Sequence, residues 1–270
     1  MNVIKYILIG AILGVSNVIP GVSGGTMAII LNVYDRLIDA MTLNMNHIKN
    51  NFFFLLYIGI GAVVGIFTFS GIIKNLLFHA PMPTGFFFMG IIIGGIPMIY
   101  NRAKDEKLKL KNMIPFFIAL GVMLAIQMMK PNDSESILIT MLTIPTAIRL
   151  FLSAAIASIA MIVPGISGSF IMLVLGVYTS IITAISSFNI PILIVVGLGV
   201  LVGIVFGAKL IKNLIQKHPQ AMYCAILGLI FGSLFEIYPG FSFTILGVIS
   251  IAAFIVGFMI SYLFSIKNKA

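Results

Sequence analysis

The chain has 270 residues, of which 60% are hydrophobic and 9% charged, with a mean hydropathy of +1.19. Soluble domains are about one-quarter charged, so the composition excludes a soluble globular protein and predicts an all-α integral membrane protein with one membrane domain over residues 1–270. The formal charge of +9 does not point to nucleic acid, because the Lys and Arg sit in short loops between apolar runs, the usual bias of cytoplasmic loops.

Lys5 and the apolar run after it mimic a secretory leader. No small-residue cleavage site with polar sequence behind it follows, so this segment is read as part of the fold. It ends in Val18-Ile19-Pro20-Gly21-Val22-Ser23-Gly24-Gly25, followed by Thr26. A Pro-Gly break inside apolar sequence frees backbone N–H and C=O groups. Lipid cannot satisfy them, so such backbone must be buried in protein or line a cavity. Further along, Asp35, Arg36 and Asp39 mark a solvated helix end with a local Asp–Arg pair. Apolar runs near 52–74, 83–100 and 113–130 read as full spans, and the loop between the last two carries Arg102, Lys104, Lys107, Lys109 and Lys111.

The break then recurs as Ile162-Val163-Pro164-Gly165-Ile166-Ser167-Gly168-Ser169. An offset of 144 carries Lys5 onto Arg149, Pro20 onto Pro164, Ser23 onto Ser167, Gly24 onto Gly168 and Tyr34 onto Tyr178; an offset of 138 then carries Gly59, Gly61 and Gly65 onto Gly197, Gly199 and Gly203. The chain is therefore read as a duplication. Pseudo-repeat 1 covers about 3–100, a connecting loop and helix 101–136, pseudo-repeat 2 about 147–240, and a C-terminal helix 241–266. The paired glycines are read as packing faces. Further spans fall near 191–208, 220–235 and 242–264.

The legs before the two breaks, 4–18 and 148–162, are each about 15 residues, short of the ~20 needed to cross the ~30 Å hydrocarbon core. They read as re-entrant hairpins, with full-spanning legs left open because they give the same loop parity. With the N-terminus in the cytoplasm, this puts Lys5, the 101–111 loop, Lys212, Lys217, Lys267 and Lys269 inside, and Asp133, Glu135 and Glu236 outside, as the positive-inside rule requires. Lys74 alone is out of place. If each break only kinked a crossing helix, a basic loop would be forced outside. Three crossings separate the hairpins, so the expected fold is an inverted-topology repeat with two re-entrant helical hairpins plus about six transmembrane helices.

The helices after the breaks begin at Ser23-Gly24-Gly25-Thr26 and Ser167-Gly168-Ser169. Their first four N–H groups lack internal partners and carry the positive dipole end. Glycine permits close approach, and the serines add hydroxyls. Two such ends facing one another form an uncharged cradle for an anion, phosphate above all. The candidate substrate-binding residues are Pro20, Gly21, Ser23, Gly24, Gly25, Thr26, Pro164, Gly165, Ser167, Gly168 and Ser169. Arg149 joins them, as the one charge between Glu135 and Lys209; it is read either as a guide for phosphate or as an interfacial anchor. No catalytic residue, metal ligand or cofactor site is expected. His47, His79 and His218 are read as loop residues, and no carboxylate is expected beside either break. The single Cys224 makes no intramolecular disulfide.

The paired breaks resemble those of the bacterial polyprenyl-phosphate transporters of the PopT type, over roughly residues 5–265. The resemblance implies carriage of undecaprenyl phosphate from the outer leaflet to the cytoplasmic leaflet of the bacterial cell membrane, with both termini cytoplasmic. The partners it implies are the polyprenyl-phosphate lipid and the bilayer, with homo-oligomerisation left open. Two rival functions are weighed against it: a channel or carrier for a small water-soluble anion, and an intramembrane lipid pyrophosphatase. The second lacks the acid, base or metal site that phosphoryl chemistry requires.

Overall fold

The structure is a computed structural model describing residues 3–19, 21–42, 45–103, 113–129 and 138–267. Pro20 lies outside the described residues, as do the loops carrying Lys104, Lys107, Lys109, Lys111, Asp133 and Glu135. The described residues form twelve helices and no strand. The first hairpin consists of α1 (Val3–Val18), α2 (Gly24–Ile30) and α3 (Tyr34–Met41), and is followed by α4 (Met45–His79), α5 (Pro81–Ala103) and α6 (Ile114–Met128). The second hairpin consists of α7 (Ile144–Ile162), α8 (Gly168–Val174) and α9 (Tyr178–Ser186), followed by α10 (Ile190–Lys217), α11 (Pro219–Ile237) and α12 (Ile245–Lys267). Proline stands in the first turn of α6, α7, α10 and α11, where its missing N–H costs nothing and its fixed φ suits the helix.

Six helices are long and apolar enough to cross a membrane, within α4, α5, α7, α10, α11 and α12. The number matches the expectation, but the membership differs. The expected span near 113–130 is the 15-residue α6. In its place stands α7, the first leg of the second hairpin, with 19 residues. Its extra turn comes from Thr143, which forms a capping box with Thr146 and starts the helix at Ile144, before the expected position 148. At 1.5 Å per residue, α7 is about 28 Å long and reaches well beyond a half-crossing.

Neither hairpin returns as one helix. The second leg breaks at Leu175-Gly176-Val177, where α8 and α9 are bent by 113°. The first breaks at Leu31-Asn32-Val33 in the same manner. Asn32 (φ 57°) and Gly176 (φ 68°) both adopt the left-handed region, which glycine enters freely and asparagine tolerates. The amides then turn back identically: Asn32 to Ile29 and Val33 to Ala28, Gly176 to Leu173 and Val177 to Met172. Both short helices therefore end in a Schellman motif that satisfies carbonyls otherwise left bare.

Packing rests on glycine. In lipid the hydrophobic effect does little between helices, so close backbone approach and van der Waals contact hold them together. A Cβ on Gly10, Gly14, Gly61 or Gly65 would overlap a backbone oxygen across the α1–α4 contact, and one on Gly199 or Gly203 would do so across α7–α10. The packing role expected for the paired glycines holds for these. It fails for Gly59 and Gly197, which have nothing within 4 Å and lie on the other side of their helices. Gly90 meets Phe254, Gly94 meets Phe258 and Gly257 meets Phe87, so α5 and α12 run parallel; Gly228 meets Phe116 and Gly232 meets Met123, so α6 and α11 do too. The largest apolar core surrounds the first hairpin and takes in Ile29, Tyr34, Ile99, Ile162, Ile226 and Ile230.

Candidate substrate site at the hairpin tips

Each tip is a tight turn with a left-handed glycine, Gly21 at φ 77° and Gly165 at φ 93°. It is closed by a hydrogen bond from Val22 N to Ile19 O (3.2 Å) or from Ile166 N to Val163 O (3.4 Å). Ser23 and Ser167 follow as N-caps with nearly the same backbone angles, φ −90° and ψ 129° against φ −94° and ψ 126°. Neither hydroxyl caps its own helix. The helices they open have seven residues each, so any electrostatic pull comes from first-turn N–H groups rather than from a long dipole.

The tips touch. Gly165 N donates to Thr26 Oγ1 at 2.8 Å, the Tyr34 hydroxyl donates to Ile162 O at 3.1 Å, and Ser23 Oγ lies 3.5 Å from Val163 O. A Cβ on Gly25 would sit 2.9 Å from Ile162 O and 3.2 Å from Pro164 Cα, so glycine is what lets the two turns close. These ties run from side chains of the first hairpin to the backbone of the second tip. Ser23 and Thr26 are accordingly only 3% and 1% exposed. The hydroxyls of the second tip face the other way. Ser169 is exposed, and its Oγ lies 2.8 Å from that of Ser167. This accounts for the Gly25–Ser169 difference between the breaks: Gly25 faces its partner turn, and its counterpart Ser169 faces outward.

A cavity of about 180 Å³ opens beside the contact. Asn17, Gly24, Gly25 and Tyr34 line it from the first hairpin, and Met161 and Ile162 line it from the second. Its remaining walls are apolar. Asn17 was not among the residues singled out from sequence, although it is the only amide in the apolar run between Lys5 and Pro20; its counterpart in the duplication is the apolar Met161, so the repeat does not flag it. Its Nδ2 donates to Leu13 O at 2.9 Å, and its side chain occupies the space a Cβ on Gly24 would need. On the opposite side of α1, Leu8, Ile12, Val15 and Ile19 line a second, apolar cavity of about 430 Å³ that reaches Val22 and Met27.

Arg149 is not brought to the tips. It sits about 21 Å back along α7 at helical rise, and its Nη2 donates to Leu175 O (3.2 Å), the last carbonyl before the Gly176 turn. The expected local Asp–Arg pair among Asp35, Arg36 and Asp39 is replaced by contacts between helices. Asp35 pairs with Arg102 at 2.6 Å and Asp39 with Lys212 at 2.7 Å. Arg36 donates to Tyr6 and Asn51 and lies over the Phe54 ring at 4.1 Å. The expectation that no carboxylate flanks a tip also needs correction: the Glu236 side chain lies against Gly21, 3.3 Å from where a Cβ would stand.

A family model described as VCA0040-like, undecaprenyl phosphate translocase-like, matches residues 13–251, which takes in both tips. The chain belongs to this family. Among relatives of this translocase-like protein, the polyprenyl-phosphate transporter of Staphylococcus aureus (strain NCTC 8325 / PS 47) is 33% identical over 264 residues, covering 94% of this chain and 93% of that protein. The polyprenyl-phosphate transporter of Vibrio cholerae serotype O1 is 31% identical over 256 residues, covering 88% and 79%. No solved structure matches the translocase-like chain.

Proposed function

We propose that this protein carries undecaprenyl phosphate, or a closely related polyprenyl phosphate, from the outer to the cytoplasmic leaflet, and that the headgroup passes between the two tips. The isoprenoid tail is at home in the bilayer, so the barrier lies in the phosphate. A charged group at the bilayer centre costs at least ~2.5–3.5 kcal/mol. The observation that carries the reading is the direct contact of two glycine turns beside a cavity that Asn17, Tyr34, Gly24 and Gly25 line together with apolar side chains. Phosphate would meet uncharged donors there, with Ser167 and Ser169 presenting hydroxyls on the other face of the contact.

The inverted-topology repeat and the cytoplasmic termini belong to the same proposal. Its support is the recurrence of the glycine tip, the serine cap and the Schellman break in both halves, together with the basic side chains of Arg102, Lys209, Lys212 and Lys217 at the helix ends expected inside. Transport rather than phosphoryl chemistry is supported by the uncharged hydroxyls and backbone N–H groups of the tips, where among the described residues Glu236 is the carboxylate found against a turn.

Purified protein in liposomes, assayed for leaflet-resolved movement of polyprenyl phosphate, tests the reading. The double substitution Ser167→Ala and Ser169→Ala is expected to lower the rate about tenfold, near the ~1.4 kcal/mol of one charge-assisted hydrogen bond. Unchanged transport would remove the second tip from the headgroup path. Transport of free phosphate at a comparable rate would favour the small-anion carrier, and release of phosphate from a lipid pyrophosphate would favour an enzyme.

A further inference from the structure

We propose that Arg102 and Lys212 are positioning residues for the tip contact, acting through α3. Arg102, in the last turn of α5, grips both sides of Tyr34. Its Nη2 donates to Asn32 Oδ1 and its Nη1 to Asp35 Oδ2, each at 2.6 Å. The Tyr223 hydroxyl joins the cluster, 3.2 Å from Arg102 Nη1 and 3.5 Å from Asp35 Oδ1. One turn further along α3, Lys212 of α10 holds Asp39 at 2.7 Å. Between the gripped residues stands Tyr34, buried, with its hydroxyl on Ile162 O of the second hairpin. One eight-residue helix thus carries an ionic clamp at two points and a tie to the opposite tip at a third.

A helix of that length is about 12 Å long and moves as a body. Releasing either ion pair therefore withdraws Tyr34 from Ile162, and opening the tips requires release of the clamp. Both pairs are partly exposed, with side-chain exposures of 23% and 53% for Arg102 and Asp35 and of 24% and 41% for Lys212 and Asp39. Such pairs are weak and exchange readily with water, which suits a contact that must break and re-form in every cycle. The clamp is one-sided. The second hairpin has Thr179, Ser180 and Thr183 where the first has Asp35, Arg36 and Asp39, so the two hairpins are held by unequal restraints.

The proposal rests on reading the tips as the headgroup path, and its test reports on the tip contact whether or not lipid moves. The full-length chain, with buried Cys224 replaced by Ala and Ala28→Cys as a buried reporter in the tip cavity, is placed in lipid nanodiscs and reacted with a membrane-impermeant maleimide. Asp39→Lys, Lys212→Asp and Tyr34→Phe, each alone, are expected to raise the labelling rate about tenfold, and the paired exchange Asp39→Lys with Lys212→Asp to return it to within about twofold of the parent. Single variants that label at the parent rate overturn the proposal. So does a paired exchange that labels as fast as the singles while melting at the parent temperature, because a residue needed only for folding would not be rescued by exchanging charge. Should the charge reversals fail to fold, Arg102→Gln and Lys212→Gln, which remove a cation without placing a like charge beside Asp35 or Asp39, decide in their place, and labelling of both at the parent rate overturns the proposal. Normal labelling responses combined with undisturbed transport in the serine variants would count against the headgroup path and leave the clamp standing.

Discussion

Gly25 and Ser169 occupy matched places in the two tips and do opposite work. Gly25 faces Ile162 and Pro164 across the contact, so any side chain there must push the turns apart. Gly25→Val is expected to reduce transport more than tenfold and to lower stability by about 1–3 kcal/mol, the range for overpacking a filled site; transport assay and thermal melting check the two effects separately. Thr26 contributes differently. Its hydroxyl accepts the buried Gly165 N–H, which would otherwise bear the full cost of an unmade hydrogen bond. The tip residues were legible in the sequence because a charge-free Pro-Gly-x-Ser-Gly is conspicuous inside apolar sequence and occurs twice. Asn17 was not, because a lone amide at the end of an apolar helix acquires meaning only when Gly24 is seen against it. Glu236 was read only as lying on the outer side, since nothing in the order of residues brings α11 to Gly21.

At the scale of elements, glycine decides which helix faces meet. Gly61→Leu is expected to separate α1 from α4 and destabilise the protein, whereas Gly59→Leu, on the open side of the same helix, should stay within about ±0.5 kcal/mol. Melting of the two variants side by side checks this. The broken return legs follow another rule. Gly176→Asn is expected to fold and function, because Asn32 already takes the same left-handed turn in the first hairpin. Gly176→Val should lose stability on the order of 1–3 kcal/mol from backbone strain, read as a lowered melting temperature. The break itself escaped sequence reading because the turn is Leu-Asn-Val-Tyr in one half and Leu-Gly-Val-Tyr in the other, and apolar periodicity continues through both. The early start of α7 escaped for a related reason. Its Thr143 cap lies in a stretch that resembles loop, and a capping box shows its value only once both hydroxyls are placed.

For the whole molecule, composition and basic-loop placement were enough to read a polytopic helical protein, and the structure adds how its halves are joined. The proposed orientation has a direct check. Single cysteines introduced at positions 104–111 are expected to react with an impermeant reagent only from the cytoplasmic side, and those at 132–136 only from outside; the reverse pattern would turn the molecule over. Orientation matters for energetics, since moving a phosphate anion inward against an inside-negative potential is opposed by ~2.3 kcal/mol per charge per 100 mV. In the proposed direction, net movement of the lipid would therefore depend on a lipid gradient or on a coupled ion.

The parallel pairing of α5 with α12 and of α6 with α11 also bears on how the protein is made. Gly90 and Gly94 present a bare backbone stripe on α5 that α12 covers with Phe254, Phe258, Ser261 and Tyr262, far along the chain from α5. Until α12 has been made and inserted, that seam on the first half has no partner from this chain's α12. Closing it is therefore a long-range step that waits on α12, and a nascent chain stalled before residue 245 is expected to leave the seam bare.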